Sequence, residues 1–438
     1  MSAGGARAGG AAVPMAPIDL VSLWMETPER PLDFVTIHRF RFAPPAASFA
    51  RGMDSARHRF VVSGSRVGED GRTWVPIDGV PPEGPRALTL PHGPDGDAAG
   101  VAALHAFVDA PIDLTREPPV KQLLVVREGQ AGATVATRFH HAGCDGVSAA
   151  AWLAHQWNVS FDQAPAALAR TPLPLAHAAG EESPRLRRHP APRRRGPAAP
   201  WGPSPMLSVE PVDPVRARSW QTITFSVADA GRAARAARGE TDPATAPAPL
   251  MAAAFLDALA GWDRARRGWS APLGLWLPVN IRMHPQRGFG NGTSRIRVHA
   301  RWNADTPWPE VVRDVRRQMT WSLRHGEWSL PAAGGLLRLP AGIARPMLRA
   351  YLRRPWVDMA SAVFTYVPRH ALSDPAAPWA AHLLGVESVG LLHRRHPISL
   401  IVSDLGAGAG AERACTFTHD PALLPPADVA DIARRFLA

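Results

Sequence analysis

The stretch Phe139-His-His-Ala-Gly-Cys-Asp-Gly146 (FHHAGCDG) lies between a predicted strand and a predicted helix. The run Thr134 to Phe139 predicts the strand, and the apolar-rich run from about Gly146 to Phe161 predicts the helix. Histidine has the free side-chain pKa nearest neutrality, so it can accept a proton and later return it. Two adjacent histidines on a loop point in different directions. We therefore expect one ring to face a cavity and the other to serve packing or hydrogen bonding.

A purely structural interpretation competes with this catalytic one. In it, the two histidines satisfy backbone carbonyls and Asp145 caps the following helix. The complete string, with two histidines, three residues and then Asp-Gly, is unusual, and between a strand and a helix it favours catalysis. Gly146 would leave the start of the helix without a side chain, which would let a thin substrate approach.

Strands and helices mix on both sides of this stretch, which predicts an α/β protein. The predicted helices are Pro17 to Thr27, about Pro249 to Arg264, and a C-terminal amphipathic helix through Val429, Ile432 and Phe436. The further predicted strands are Phe34 to Phe42, Pro119 to Arg127, Trp220 to Val227, Leu273 to Asn280, Thr293 to Ala300, Ala362 to Val367 and Ile398 to Ser403.

Composition divides the chain into two halves. Residues 1–14 are rich in Gly and Ala and are predicted to be a disordered leader. Residues 15–163 form the predicted N-terminal subdomain, and residues 215–438 the C-terminal one. Between them, residues 164–214 are dense in Pro, Ala and Arg and have little periodicity, which is typical of a long crossover linker.

The overall charge and its distribution along the chain bear on whether the protein binds nucleic acid. The 438 residues carry 49 basic and 38 acidic side chains, a net charge of +11. Six arginines fall between positions 185 and 195 of the Pro-rich linker, and no nucleic-acid-binding signature accompanies them, so nucleic-acid binding is not expected. The two cysteines exclude a disulfide framework, and no apolar run reaches the roughly 18 residues of a membrane-spanning helix. We therefore expect a cytoplasmic protein.

The string HHAGCDG resembles the HHxxxDG signature of the CoA-dependent acyltransferase superfamily. That superfamily includes chloramphenicol acetyltransferase, the condensation domains of nonribosomal peptide synthetases and the bacterial wax ester synthase/diacylglycerol acyltransferases. Further segments agree in order: Ala16 to Phe34 resembles the opening of the wax ester synthase branch, Ile112 to Val126 resembles a strand of that branch and of condensation domains, and Pro278 to Val298 resembles a stretch of the second half.

The resemblance implies two chloramphenicol acetyltransferase-like mixed-sheet subdomains that form a V, with a through-tunnel at their interface. His141 would be the general base, and His140 would support it. Asp145 would make a structural ion pair with an arginine, for which Arg282 is our choice. The resemblance also implies that Gly146 lines the opening and that Gly290, Asn291 and Thr293 lie near the tunnel. All four would therefore contact the substrate.

The implied activity is transfer of an acyl group from a thioester to an alcohol, as in the wax ester synthase-like branch. The alternative is a free-standing condensation enzyme that forms an ester or amide from a carrier-protein-bound donor, and a third hypothesis is a non-catalytic scaffold. The co-substrate would be acyl-CoA or a phosphopantetheine thioester, with no bound cofactor or metal. The acceptor would be a small molecule or lipid. Wax ester synthases usually carry an Asn-Asp pair where this chain has Ala248 and Pro249, which weakens that specific assignment.

Two other segments suggest binding. His393 and His396 resemble half of a metal site, but no third ligand has a suitable spacing, so no metal is expected. Residues 336–356 mix arginine with apolar side chains and could contact an anionic membrane or lipid surface. Pro340 and Pro346 are predicted to break this segment into short pieces, which favours solvated helices over a core instead.

Overall fold

The computed structural model describes residues 12–27, 31–77, 86–161, 217–226, 247–268, 273–280, 289–300, 302–324, 338–352, 360–367, 378–392, 396–405 and 412–438. The helices within these ranges are α1 (Pro17–Met25), α2 (Ala46–Arg59), α3 (Pro94–Asp109), α4 (Gly146–Ser160), α5 (Pro247–Arg267), α6 (Trp308–Arg324), α7 (Ala341–Leu352) and α8 (Pro426–Leu437). The strands of the first half are β1 (Val13–Pro14), β2 (Asp33–Phe40), β3 (Ser65–Val67), β4 (Thr73–Pro76), β5 (Arg86–Leu90), β6 (Val120–Arg127) and β7 (Ala133–His140). Those of the second half are β8 (Ser219–Ser226), β9 (Gly274–Asn280), β10 (Thr293–His299), β11 (Ala362–Val367), β12 (Leu383–Val389), β13 (Ile398–Asp404) and β14 (Glu412–His419).

The first half is built on a mixed five-stranded sheet in the order β12-β2-β7-β6-β5. Only the β5–β6 pair is parallel, and the other neighbours are antiparallel. Strand β12 comes from the second half of the chain and adds to the free edge of β2, so the two halves share this sheet. A small sheet, β1-β4-β3, lies beside it and includes Val13 and Pro14 from the predicted leader.

The second half is built on a mixed six-stranded sheet in the order β10-β9-β11-β13-β14-β8. Strand β11 is parallel to both β9 and β13, and the other pairs are antiparallel. Two mixed sheets with helices packed on them confirm the predicted α/β class.

Side-chain alternation along the strands explains how each sheet is covered. In β2, Val35 and Ile37 belong to one buried cluster, whereas Phe40 belongs to another on the opposite face, which contains side chains of α2 and α4. Helices α2 and α4 approach closely at Gly52, where a built Cβ would lie 2.2 Å from Ser160 Oγ. Only glycine permits this helix contact without a shift of the neighbouring helix.

The core of the second half lies between its sheet and helices α5 and α8. Phe255 of α5 and Phe436 of α8 both contact Phe417 of the sheet, with ring centroids 6.1 and 5.8 Å apart. Val429, Ile432 and Phe436 are fully buried, which confirms the predicted amphipathic C-terminal helix.

The segment around Pro346 differs from the prediction, because Ala341–Leu352 is one helix, α7, with Pro346 inside it. Pro346 is the sixth of the twelve residues of this helix, so its missing N–H removes the intrahelical bond to the carbonyl of Gly342 without ending the helix. Ala344 and Leu348 are buried in the core of the first half, while Ile343, Met347 and Tyr351 are exposed. Helix α7 thus belongs to the second half of the chain but packs on the first.

None of the described helices is long and apolar enough to cross a membrane. The predicted linker 164–214 falls outside the described residues, as do Arg282 and His393.

Candidate functional site

The string FHHAGCDG forms a tight turn between β7 and α4. The carbonyl of His140, the last residue of β7, accepts hydrogen bonds from Gly143 N at 3.0 Å and from Cys144 N at 3.1 Å. Asp145 is the N-cap of α4, and its Oδ1 accepts from Ser148 N at 3.0 Å. The structural interpretation was therefore correct about Asp145 as a cap, and the two histidines are held where the strand ends.

His140 is fully buried and both of its ring nitrogens are engaged. Its Nδ1 accepts a hydrogen bond from Ala142 N at 3.0 Å, and its Nε2 lies 2.9 Å from Glu26 Oε2. Because Nδ1 accepts, the hydrogen must be on Nε2, which donates to the Glu26 carboxylate. His140 is thus held in one tautomer, and its ring faces the protein interior, in agreement with a supporting role.

His141 is held through its backbone on both sides. Its N–H donates to the carbonyl of Leu32 at 2.7 Å, and its carbonyl accepts from Asn291 Nδ2 at 2.9 Å. Its ring packs against Phe34, with centroids 4.9 Å apart and planes tilted by 48°. The residue keeps partial solvent exposure, unlike His140. The structure therefore fixes the main chain of His141 without enclosing the residue completely.

The imidazole of His141 is neutral at physiological pH. Burial lowers its pKa from 6.5 to about 4, although the nearby Asp145 carboxylate acts to raise it. A neutral imidazole can accept a proton from an acceptor group, which a protonated ring cannot. Burial thus keeps the ring in the form that a general base requires.

Asp145 connects the two halves of the molecule. Its Oδ2 accepts from Gly292 N and from Thr293 Oγ1, both at 2.8 Å, and these residues begin β10 in the second half. Asp145 is completely buried, so each of these hydrogen bonds replaces a lost contact with water. Its predicted partner Arg282 lies outside the described residues, so the Asp145–Arg282 ion pair stays a prediction.

The other predicted residues lie at the same junction. Ser148 Oγ donates to the Gly290 carbonyl at 2.7 Å and accepts from Gly290 N at 3.0 Å. Gly290 has a φ of 145°, a conformation that favours glycine. Asn291 Nδ2 also donates to Ser22 Oγ at 3.1 Å, which ties α1 to the segment before β10. Gly146 is exposed, and a Cβ built on it would meet no atom within 4 Å. Substrate contacts of these residues stay predictions.

A buried carboxyl group lies beside this junction. Burial raises the pKa of Asp19 in α1 to about 8, against a hydrogen bond from Ala16 N at 3.1 Å that acts to lower it. The Asp145 carboxylate raises the pKa further. At pH 7 Asp19 is therefore protonated, which spares the junction a second buried negative charge.

A buried charge cluster is centred on Asp33, the residue of β2 that pairs with His140 of β7. The Asp33 carboxylate forms ion pairs with Arg138 and with Arg218, the latter at 2.8 Å. Although burial acts to raise it, the two guanidinium groups hold the pKa of Asp33 below its usual value. Arg218 precedes β8, so this cluster attaches the start of the second sheet to the first half.

Sequence reasoning missed several residues of the site, namely Glu26, Leu32, Phe34, Ser22 and Asp19. Glu26 lies in the segment Ala16 to Phe34, and the resemblance of that segment to the wax ester synthase branch was the one signal that could have identified it. Among the described residues no group of three potential metal ligands occurs, and His396 is buried.

No protein-family model and no curated protein matches the chain. Solved structures do. The first condensation domain of the calcium-dependent antibiotic synthetase, in complex with a substrate analogue, has a TM-score of 0.70 at 15% identity, covering 98% of this chain and 96% of that one. A mutant starter condensation domain of rhizomide synthetase RzmA, in complex with C8-CoA and Leu-SNAC, has a TM-score of 0.67 at 16% identity, covering 97% and 93%.

The X-domain from teicoplanin biosynthesis has a TM-score of 0.62 at 15% identity, covering 99% of this chain and 95% of that one. These similarities extend over nearly the full length of each partner, and both sheets described above are included. The chain therefore has the two-subdomain fold of condensation domains, as the string HHAGCDG predicted.

Proposed function

We propose that this protein is an acyltransferase of the condensation-domain type, with His141 as its general base. The observation that carries this proposal is the placement of His141: its ring is neutral and partly exposed, and its backbone is held by both halves. Sites of proton transfer are typically built on groups whose pKa is perturbed in this way.

The proposed reaction moves one proton through the His141 ring. The acceptor amine or hydroxyl gives its proton to the imidazole while its nitrogen or oxygen attacks the thioester carbonyl. The tetrahedral intermediate then collapses, the carbon–sulfur bond breaks, and the imidazolium returns the proton to the leaving thiolate. General-base help of this kind typically contributes about 10²- to 10⁴-fold in rate, and positioning of the two substrates contributes the rest.

For the donor we propose an acyl thioester on CoA or on a carrier-protein pantetheine arm, and for the acceptor an amine. The complex of the RzmA domain with C8-CoA and Leu-SNAC supports this choice, because it pairs an acyl-CoA with an aminoacyl thioester. Ester formation with a fatty alcohol, the wax ester synthase-like prediction, has no such support from the compared structures. The tunnel, a lipid acceptor and contact with a membrane surface stay predictions.

The test is a matrix of donors and acceptors. Octanoyl-CoA, palmitoyl-CoA and an octanoyl-loaded carrier protein would each be combined with an aminoacyl thioester, a free amino acid and a fatty alcohol, and the products measured by mass spectrometry. We expect amide formation with an aminoacyl acceptor, and its loss in His141→Ala. Ester formation with only the fatty alcohol would support the wax ester prediction instead. Absence of transfer from every donor, with a folded protein, would contradict the proposal.

A further inference from the structure

The Glu26 carboxylate contacts the ring of His140 and the backbone of Leu32, the residue that binds the backbone of His141. It follows directly after α1, at the C-cap position. Its Oε2 accepts from His140 Nε2 at 2.9 Å, and its Oε1 lies 3.4 Å from the backbone N of Leu32. The carbonyl of that same Leu32 accepts from His141 N at 2.7 Å. One carboxylate thus contacts the side chain of the first histidine and the peptide segment that holds the second.

We propose that Glu26 is a positioning residue that keeps the Nε2–H tautomer of His140 and thereby the orientation of the His141 imidazole. This inference rests on the proposed function for its effect on rate, because positioning matters only if His141 reacts. Its structural part, the tautomer and the order of the loop, stands on the contacts alone.

The hydrogen-bond chemistry of His140 explains why a carboxylate is suited to this place. Ala142 N donates to Nδ1, so Nε2 must carry the hydrogen and needs an acceptor. A carboxylate accepts two donors at once, here His140 Nε2–H and Leu32 N–H, without offering a competing hydrogen of its own. Hydrogen bonds to a charged acceptor are also about twice as strong as neutral ones.

Loss of the Glu26 carboxylate would also affect the residues that follow His140 in the chain. His140 is fully buried, so an unpaired Nε2–H would favour a flipped ring or the other tautomer, and either change would break the bond from Ala142 N. Ala142 follows His141 directly. The turn from His140 to Asp145 would then lose one of its fixed points beside the proposed base.

The position of Glu26 is itself fixed by the second half of the chain. Arg349 of α7 donates to the carbonyl of Trp24 at 3.2 Å and to that of Glu26 at 2.5 Å. An arginine at the C-terminal end of α1 satisfies carbonyls that have no intrahelical partner. The carboxylate is therefore presented to His140 from a helix end that is anchored on α7.

The experiment compares Glu26→Ala and Glu26→Gln with the wild type and with Glu69→Gln. Glu69 is an exposed glutamate in the turn between β3 and β4 and serves as the matched control. For each protein we would measure kcat and KM for the best substrate pair of the matrix above. Long-range ¹H–¹⁵N spectra with ¹⁵N-histidine would report the tautomer of His140, assigned with a His140→Gln variant.

We expect Glu26→Ala to lower kcat about 10- to 100-fold with KM within about threefold, because misplacement of a reacting group costs rate more than ground-state binding. Glu26→Gln should fall between Glu26→Ala and the wild type, since an amide can accept from only one of the two donors. Glu69→Gln should match the wild type. In the spectra, wild-type His140 should carry its hydrogen on Nε2, and this signature should be lost in Glu26→Ala.

Unchanged kcat in Glu26→Ala would overturn the inference, and so would a wild-type His140 with its hydrogen on Nδ1. If Glu26→Ala does not fold, Glu26→Gln and the wild-type spectrum decide. If the wild type transfers no acyl group, the proposed function fails, while the spectra of wild type and Glu26→Gln still decide whether Glu26 holds His140.

Discussion

Two strand-to-helix corners in the described part of the chain are of similar construction, and one of them contains the residues of the proposed active site. In the first half, β7 ends at His140 and leads through Asp145 into α4. In the second half, β14 ends at His419 and leads through Asp420 toward α8. Each strand is paired antiparallel on both sides within its sheet, so both corners emerge from the interior of a sheet.

The difference lies in where each side chain finds its partner. The Nδ1 of His419 lies 2.7 Å from the carbonyl of Leu424, in its own loop, and Asp420 Oδ1 accepts from Ala422 N at 2.9 Å. His141 and Asp145 instead bind the distant segment that begins β10. The His419 ring is engaged by its own loop, whereas the polar contacts that hold His141 come from its backbone.

The largest expected effect is on kcat, and it is the difference between replacing a histidine by alanine at the first corner and at the second. His141→Ala should lower kcat about 10²- to 10⁴-fold and leave folding intact, because its ring makes no hydrogen bond on which the described fold depends. His419→Ala should keep kcat within about threefold but lower stability by about 1–3 kcal/mol, because the Leu424 carbonyl would be left buried and unpaired. Steady-state kinetics and urea unfolding would measure the two effects.

Equal kinetic losses in the two variants would contradict the distinction between the corners. Retained turnover in His141→Ala would remove His141 from the mechanism, even if His419→Ala behaves as expected.

The second expected effect is on the free energy of unfolding, when the aspartate of each corner is replaced by alanine. Asp145→Ala should destabilise the protein by about 3–5 kcal/mol, because its carboxylate is buried, caps α4 and accepts two hydrogen bonds from the second half. Asp420→Ala should cost about 1 kcal/mol, since Asp420 caps only a local turn. Urea unfolding at pH 7 measures both. A larger loss for Asp420→Ala would mean that the link between the halves contributes less than the local cap.

The sequence predicted the local features of the first corner and could not predict what holds it. The strand ending near Phe139, the helix beginning at Gly146 and the cap at Asp145 follow from periodicity and from short-range chemistry. Strand β12 pairs with β2 across about 350 positions of sequence, and no local pattern indicates such a partner. Helices α2, α3 and α6 and strand β14 were also not predicted.

The missed site residues have the same explanation. Glu26 lies 114 positions from His140, and Asn291 lies 150 positions from His141. The resemblance named Asn291 as a residue near the tunnel, but its bond to the His141 carbonyl depends on how the two halves meet. Tertiary contacts of this kind follow from the packing of whole sheets, which a single sequence does not contain in readable form.

A third prediction concerns Arg282, which the resemblance pairs with Asp145. Arg282→Ala should destabilise the protein, but by less than Asp145→Ala, because Asp145 keeps its bonds from Ser148, Gly292 and Thr293. In a double-mutant cycle the two losses should not add, since they remove one shared interaction. Strict additivity, or unchanged melting of Arg282→Ala, would identify another arginine as the partner.

A fourth prediction uses pH to separate the buried base from an exposed histidine. Because the pKa of His141 is lowered to about 4, its ring stays neutral down to about pH 5. The value of kcat/KM, calculated on the concentration of unprotonated acceptor amine, should therefore stay level from pH 7 to about 5 and fall near pH 4, where the ring gains a proton. Return of each sample to pH 7 before a second assay controls for acid unfolding. A fall already near pH 6.5 would indicate a base with an ordinary histidine pKa.

The last prediction concerns Asp19, the protonated carboxyl group beside Asp145. Its pKa is 3.8 in the unfolded chain and about 8 when folded, so between these values the folded protein holds a proton that unfolding releases. The contribution of Asp19 to stability therefore decreases as pH rises from about 4 to 8. Asp19→Asn, a neutral side chain of the same shape, should remove this dependence. Its melting temperature should exceed that of the wild type, and the difference should be much larger at pH 8 than at pH 5. A variant less stable than the wild type at pH 8 would show that Asp19 is ionised in the folded protein, and that the junction tolerates two adjacent buried carboxylates.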